Sequence, residues 1–442
     1  MGKKARVETN NRRDYSNISS NSKPGKKAAA AAASKKPSSK AAEQPSRATT
    51  TTATDAPPPL LPLPSQQRLL SSFTGAFGPV LASDSFPVLL QEVKAALFAR
   101  DFEAAFTAAR PESLEAYAAR WSPTRALGYA TVLLGIGEHL AEHVHRDVVS
   151  SGAAADVGPD GEGESAAPSP NGAAHPSVTS ADTVADVQNS IEGLSIASGA
   201  ESLDNEEATA GEKPSKTIKM LSIGGGAAEI AAFAAYLSQQ DPLISGSVTL
   251  LDSAPWDSVV SKLHDALTTT PPISKYANAA AKAANGPLLR QPACLSSAFT
   301  KQDVLTMTRQ QLSDTIGGAD EILLVTLLFT LNELYTTGGI GKTTKFLLNL
   351  TAVIPEGSLL LVVDSPGSYS EAAVGKESKK YPMQWLLDHT LLKSEKDAVE
   401  GCRWEKLESH DSVWFRLADS LKYPISLENM RYQMHLYRAT KP

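Results

Sequence analysis

The sequence predicts an α/β fold over residues 215–442, with a mostly parallel sheet of seven strands, preceded by a small helical domain and a disordered basic tail. Three observations predict it. From Lys216 onward, short apolar runs alternate with amphipathic segments, the pattern of strands and crossover helices. The first of those runs leads straight into three consecutive glycines. Upstream, apolar residues recur at helical steps, bounded on both sides by stretches of low complexity.

Residues 1–63 form the expected tail. The first fifty residues hold twelve Lys or Arg against three acids, with an Ala run at 28–33 and Pro57-Pro58-Pro59 further on. Such a segment buries too little apolar area to offset its ordering entropy. Its basic clusters suit nuclear import or loose phosphate contact, and equally a solvated extension. Residues 64–146 change character. Leu69, Leu70, Phe73, Phe77, Val80 and Leu81 are spaced as on an amphipathic helix, and similar patterns run through Phe86–Leu97, Phe102–Ala109 and Leu127–Val144. Pro123 is placed to start the helix that carries Arg125 and Leu127. Residues 147–214 follow as an acidic insertion, in which 150–212 hold twelve Asp or Glu and no Lys or Arg. Such a segment would suit a basic protein partner.

Strands are expected at 218–223, 247–251, 296–299, 322–328, 358–363, 412–417 and 431–438. Helices are expected at 227–239, 256–267, 304–313 and 341–352. The last two strands are close enough in sequence to pair directly. The net charge of −6 is a sum of opposed segments and describes no single surface. Two cysteines, Cys294 and Cys402, make no disulfide framework, which points to a reducing compartment. No window approaches the roughly 18 apolar residues of a membrane span.

The first strand, Ile218–Ile223, runs into Gly224-Gly225-Gly226 and then a helix. Glycines there allow a tight turn and a close backbone approach to a ligand, the geometry of a Rossmann-like nucleoside site. The second strand ends in Asp252-Ser253, where a carboxylate is placed to accept from ribose hydroxyls. Gln302-Asp303-Val304 follows the third strand and offers an acceptor for an adenine amino group. Each acid also reads as a turn or cap residue. A dinucleotide fingerprint would place Gly or Ala where this chain has Glu229, and a pyrophosphate would meet that carboxylate at the helix N-terminus. S-adenosylmethionine (SAM) has no phosphate and carries a cationic amino acid tail. The looser Gly224-x-Gly226-x-Ala228 form resembles class I methyltransferases, although Ser222 stands where that family often has an acid. The cofactor-contacting set is then Ser222, Gly224, Gly225, Gly226, Asp252, Ser253, Asp303 and Val304.

A competing motif is Gly338-Gly339-Ile340-Gly341-Lys342-Thr343-Thr344, which has the look of a deviant phosphate-binding loop of an ATPase. Thr336 and Thr337 stand where such loops want Gly or Lys, and Asn332–Tyr335 separate the segment from its strand. His139 and His143, one helical turn apart, lack the following Glu of a zinc motif and read as a solvated face. Arg120, Trp121 and Arg125 mix cations with an aromatic ring, a combination that holds RNA phosphate or stacks a base, or else forms a helix junction anchored by Trp121.

Five pieces together resemble the fungal 25S ribosomal RNA uridine-N3 methyltransferase family: Arg120–Ala126, Leu221–Glu229, Gln302–Leu305, Phe329–Tyr335 and Tyr432–Arg438. The resemblance implies a SAM-dependent enzyme of the nucleus or nucleolus, with ribosomal RNA or a pre-ribosomal particle as partner. It places the acceptor near the end of the fourth strand, at Thr330, Asn332 and Glu333. Glu333 is then the candidate base for the uridine N3 proton, with Asn332 orienting the base edge. The same two residues also read as a helix cap. Methylation of another RNA atom or of a protein remains an alternative, as does the ATPase.

Overall fold

The computed structural model describes residues 60–142, 216–317, 322–367, 369–374, 377–392 and 402–441. The expected basic tail, apart from residues 60–63, and the whole acidic insertion lie outside the described residues, as does His143.

Four helices come first: α1 (Leu63–Leu81), α2 (Phe86–Ala99), α3 (Pro111–Arg120) and α4 (Ser122–Gly135). Each has a proline at its start, where the missing N–H has no helical partner to lose. The expected stripe of α1 is buried at Leu69, Leu70, Phe73, Phe77 and Val80. Pro79 lies inside α1, and the helix breaks two residues earlier at Phe77.

The seven-stranded sheet has strand order β3-β2-β1-β4-β5-β9-β8. Its strands are β1 (Lys216–Ile223), β2 (Ile244–Asp252), β3 (Leu295–Lys301), β4 (Leu324–Leu328), β5 (Leu359–Asp364), β8 (Arg403–Phe415) and β9 (Met430–Thr440). The first five are parallel, and β9 runs antiparallel to both neighbours. All seven expected strands exist. The sixth begins at Arg403 rather than 412, because Glu405, Lys406 and Glu408 hide an edge strand whose exposed face is polar. A two-stranded hairpin, β6 (Tyr369–Val374) with β7 (Glu377–Pro382), was not anticipated.

Side chains alternate between the two faces of the sheet. Ile218, Met220, Leu359, Leu361 and Val363 face a core built by α5 (Ala227–Leu237), α6 (Asp257–Thr268) and the four N-terminal helices. Leu221, Ile223, Leu360 and Val362 face α7 (Arg309–Ile316), α8 (Leu331–Val353) and α9 (Met383–Leu391). Every residue of α5 is buried, because α4 packs on its outer side. The helical segment is therefore not a separate domain: residues from Leu61 to Leu140 share one apolar core with the α/β half.

Two helix boundaries differ from expectation. The segment after β3 starts its helix at Arg309, because Asp303 first closes a turn by accepting from the Leu305 amide at 2.9 Å. Thr308 and Gln311 then form a reciprocal capping box. Helix α8 starts at Leu331, ten residues before the expected position, and runs through the glycine-rich stretch. Gly339, with φ +71°, kinks it, and the Thr343 hydroxyl bridges the kink to the carbonyls of Leu334 and Gly339. Gly338 presses against Leu305, where an added Cβ would come within 2.5 Å. Gly338–Thr344 is thus the middle of a bent helix and not a loop leaving a strand, so the phosphate-loop reading is corrected.

Candidate active site

The carboxyl ends of β1, β2, β4 and β5 open into a cavity of about 460 Å³, roofed by the N-terminal helices. Ligands of open parallel sheets bind at this edge, where the strand order reverses. The reversal lies between β1 and β4, which pair with each other but follow different directions of winding.

The glycine loop is shaped by its neighbours. Gly224 takes φ +70°, and a Cβ there would collide with the Thr330 side chain at 2.2 Å. A Cβ on Gly225 would come within 2.7 Å of the Ser222 carbonyl oxygen. Gly226 lies against the face of Trp256, 3.3 Å from where its Cβ would be. The Gly226 amide donates to Glu229 Oε2 at 2.7 Å, so the acid that argued against a phosphate ligand fills the place an anion would take.

Three of the acids that line the cavity keep their protons more tightly than usual. Burial pushes Glu229 up to about 7, against the opposing pull of the Gly226 amide and Arg125. Burial raises Asp252 to about 6, while the Ala254 amide and the Trp256 indole favour its charged form. Glu333 reaches about 8, from burial first and then from the charge of Asp252, partly offset by Arg125. Asp252 accepts from the Ala254 amide at 2.7 Å, so it is a turn residue as well as a cavity residue. Asp303 and Val304 line the same wall.

The end of β4 is held in an unusual conformation. Phe329 has φ +58°, which costs a bulky side chain about 1–3 kcal/mol. Its amide donates to the Val363 carbonyl at 2.6 Å. Three residues on, the Asn332 amide donates to Asp364 Oδ2 at 3.0 Å. Asp364, at the end of β5, thereby pins the first turn of α8. These contacts leave the Asn332 side chain and the Glu333 carboxylate facing the cavity, and Glu333 has no hydrogen bond or ion pair among the described residues.

The cavity thus gathers Gly224, Gly226, Asp252, Ser253, Asp303, Val304, Thr330, Asn332 and Glu333. Ser222 is elsewhere: it is fully buried in the sheet, where its hydroxyl accepts from Thr326 at 2.9 Å. Gly225 does not line the cavity; it packs on Ser222. The expected RNA patch is also not assembled on the surface. Arg120 pairs with Glu428 at 2.5 Å, and its side chain is only 12% exposed. Trp121 packs on Tyr117 with ring centroids 5.1 Å apart, as the helix-junction alternative requires. Arg125 faces into the cavity. Sequence reasoning missed Tyr117, Trp256, Phe329 and Asp364. Asp364, ending a fully apolar strand just as Asp252 does, was the one with a legible signal.

A family model described as "Putative SAM-dependent methyltransferase" matches residues 73–438. The chain belongs to this SAM-dependent methyltransferase family. The 25S rRNA (uridine(2843)-N(3))-methyltransferase of Saccharomyces cerevisiae is 35% identical over 191 residues, 43% of this chain. The match spans about half of that relative, 47% of its length. The 16S rRNA (adenine(1408)-N(1))-methyltransferase from Catenulisporales acidiphilia, 14% identical, aligns over 51% of this chain and 89% of that one with a TM-score of 0.28. A SAM-dependent methyltransferase from Methanosarcina mazei, 11% identical, aligns over 51% and 93% with a TM-score of 0.27. At those scores neither bears on what this methyltransferase acts upon.

The residues present fit SAM. The glycine loop is a cradle that a Cβ at Gly226 would narrow, and the carboxyl groups of Glu229, Asp252, Asp303, Glu333 and Asp364 suit a cationic ligand, which favours their charged forms, better than a polyphosphate.

Proposed function

We propose that this methyltransferase acts on N3 of a uridine in large-subunit ribosomal RNA. The observation that carries the reading is Glu333: a carboxylate at the end of β4, raised to about 8, without a hydrogen-bond partner among the described residues. Uridine N3 holds a proton at neutral pH, and a general base works best with a pKa near the operating pH. The name of the yeast relative supports the same atom and the same class of RNA.

SAM, when bound, supplies an electrophilic methyl group. The chain's own residues do the rest. The Gly224–Gly226 loop lets the backbone come close, and Asp252 and Asp303 offer acceptors for the nucleoside. Thr330 fixes the loop from below by packing on Gly224. Asp364 fixes the first turn of α8 through the Asn332 amide, which orients Asn332 and Glu333 together. Glu333 takes the N3 proton as the nitrogen becomes nucleophilic, and Asn332 offers its amide to the base edge. A paired uridine must first leave its stack to reach this depth. The basic residues of the first fifty support a nuclear or nucleolar site of action on a pre-ribosomal particle.

Digestion and mass spectrometry of ribosomal RNA test the reading. A strain lacking the protein is expected to lose one N3-methyluridine from the large subunit. Glu333→Gln keeps the size but cannot take a proton, so SAM binding persists while transfer slows by about two orders of magnitude or more. An unchanged N3-methyluridine level in the deletion strain overturns the uridine assignment. Full methylation by Glu333→Gln overturns the base alone.

A further inference from the structure

Arg125 is the one cation that lines the cavity among the described residues. It sits in the first turn of α4, eight residues after the wall residue Tyr117 of α3. Its guanidinium lies over the Phe329 ring, 4.9 Å from the centroid, and over the Tyr117 ring at 5.7 Å. One Nη1–H donates to the Tyr117 hydroxyl. That is its whole set of polar contacts: no carboxylate forms an ion pair with it among the described residues.

A guanidinium has five N–H donors and never loses its charge in a protein. Here it is set between aromatic rings with a neutral phenol as partner, and burial drives the Tyr117 hydroxyl further from ionisation. A charge withdrawn from water this way is costly unless an anion meets it. The acids nearby attract it through space, without a direct hydrogen bond or ion pair among the described residues. Glu229 is committed to the Gly226 amide, and Glu333 makes no ion pair. The remaining donors of Arg125 are left for an anion that enters the cavity.

The surroundings select which anion. Glu229, Asp252, Asp303, Glu333 and Asp364 line the same space, and although burial keeps Glu229 and Glu333 partly protonated, the negative charge that remains disfavours a phosphodiester, which brings no cation of its own. A single carboxylate carried next to positive charges is not disfavoured in this way. The amino acid tail of SAM has that composition: one carboxylate beside an ammonium and a sulfonium. The position agrees. Arg125 acts electrostatically on Glu229, in the first turn after the glycine loop, and on Glu333 at the end of β4.

We propose that Arg125, steadied by the Tyr117 hydroxyl and the Phe329 ring, anchors the carboxylate of the SAM amino acid tail. The helical segment then completes the cofactor site and does not serve there as an RNA surface. The inference rests on the cofactor alone and is independent of which RNA atom is methylated.

Calorimetry on the full chain tests it with three probes: S-adenosylhomocysteine, its decarboxylated analogue and 5′-methylthioadenosine, which lacks the whole amino acid. Wild type is expected to bind S-adenosylhomocysteine at least tenfold more tightly than the decarboxylated analogue, since hydrogen bonds to a charged group contribute about 1.5–3 kcal/mol, or about 10–100-fold. Arg125→Met should weaken S-adenosylhomocysteine by about 10–100-fold while the other two probes change less than about threefold. The ligand-free melting temperature of Arg125→Met is expected to fall somewhat, because the buried Tyr117 hydroxyl loses its partner; the selective loss for the carboxylated probe is the readout that a purely structural arginine would not give. Tyr117→Phe should give the same selectivity at smaller size. Equal losses for all three probes, or no loss for any, overturn the proposal. If Arg125→Met fails to fold, the wild-type comparison decides: equal affinity for the carboxylated and decarboxylated ligands overturns it. Missing N3-methyluridine activity with intact carboxylate selectivity would count against the uridine reading and leave this one standing.

Discussion

At the scale of single residues, the site is a set of carboxylates kept partly protonated. Glu229, Asp252 and Glu333 have native values of about 7, about 6 and about 8, above the roughly 4 of an unfolded chain. Between those limits the native state holds protons that the unfolded state has released. Stability therefore falls as pH rises through this window. Melting curves of the ligand-free protein should show a falling melting temperature from roughly pH 5 to 8, and Glu333→Gln should flatten the upper part of that fall. A melting temperature that rises across the window in both proteins would contradict the raised values. The glycines make a second residue-scale prediction. Gly224→Ala meets both a positive φ and the Thr330 side chain, so the loop distorts and stability drops by about 1–3 kcal/mol. Gly226→Arg has no such backbone conflict but fills the cavity beside Trp256. It should abolish SAM binding with the fold retained, and wild-type affinity in that variant would remove the loop from the site.

At the scale of elements, α8 decides how its own sequence is to be understood. Gly338, Gly339 and Gly341 followed by Lys342 imitate a phosphate loop, yet they continue a helix that Asp364 pins at one end and Thr343 bridges at the kink. Gly338 is small because Leu305 packs there, and Gly339 supplies the positive φ of the bend. Lys342 lies on an exposed part of the helix. Lys342→Ala is therefore expected to leave SAM affinity unchanged within about twofold, and to affect no nucleotide hydrolysis. Loss of a measurable ATPase in that variant would reverse this account. The β4–α8 junction shows the complementary case. Phe329 tolerates a strained backbone because the Val363 carbonyl and Asn332–Asp364 contact hold both sides of it. Strain of that kind belongs to sites where geometry matters more than stability.

At the scale of the whole molecule, the N-terminal helices and the α/β half stand or fall together. Cavity-lining residues run from Leu97 to Ser365, and all of them belong to one compact unit. Removing residues 1–56 should leave melting temperature and SAM affinity unchanged, while weakening RNA binding most at low salt, where Lys/Arg–phosphate attraction is strongest. Removing everything to residue 142 strips α4 from the wholly buried α5 and takes Arg125 out of the cavity. That truncation should be insoluble or unfolded; a folded, SAM-binding remainder would separate the two halves after all.

The sequence by itself determined where the seven strands lie along the chain, the glycine turn and the acids after β2 and β3. Those signals are local: period-two apolar runs, residues that permit φ above zero, and carboxylates that follow a strand directly. It also determined the contrast between Glu229 and a phosphate ligand, since one side chain at a helix start is enough to state it. Only the tertiary structure decided which side chains meet. Arg125 reads as a surface cation beside Trp121 until α4 packs on α5 and turns it toward Phe329, about two hundred residues away in sequence. Ser222 reads as a ligand contact until the pairing of β1 with β4 places it against Thr326 inside the sheet. Glu405 to Glu408 read as loop until β9 supplies the partner for an edge strand whose outer face is charged. In each case the deciding contact lies far along the chain, and local pattern carries no information about a partner that only chain folding brings near.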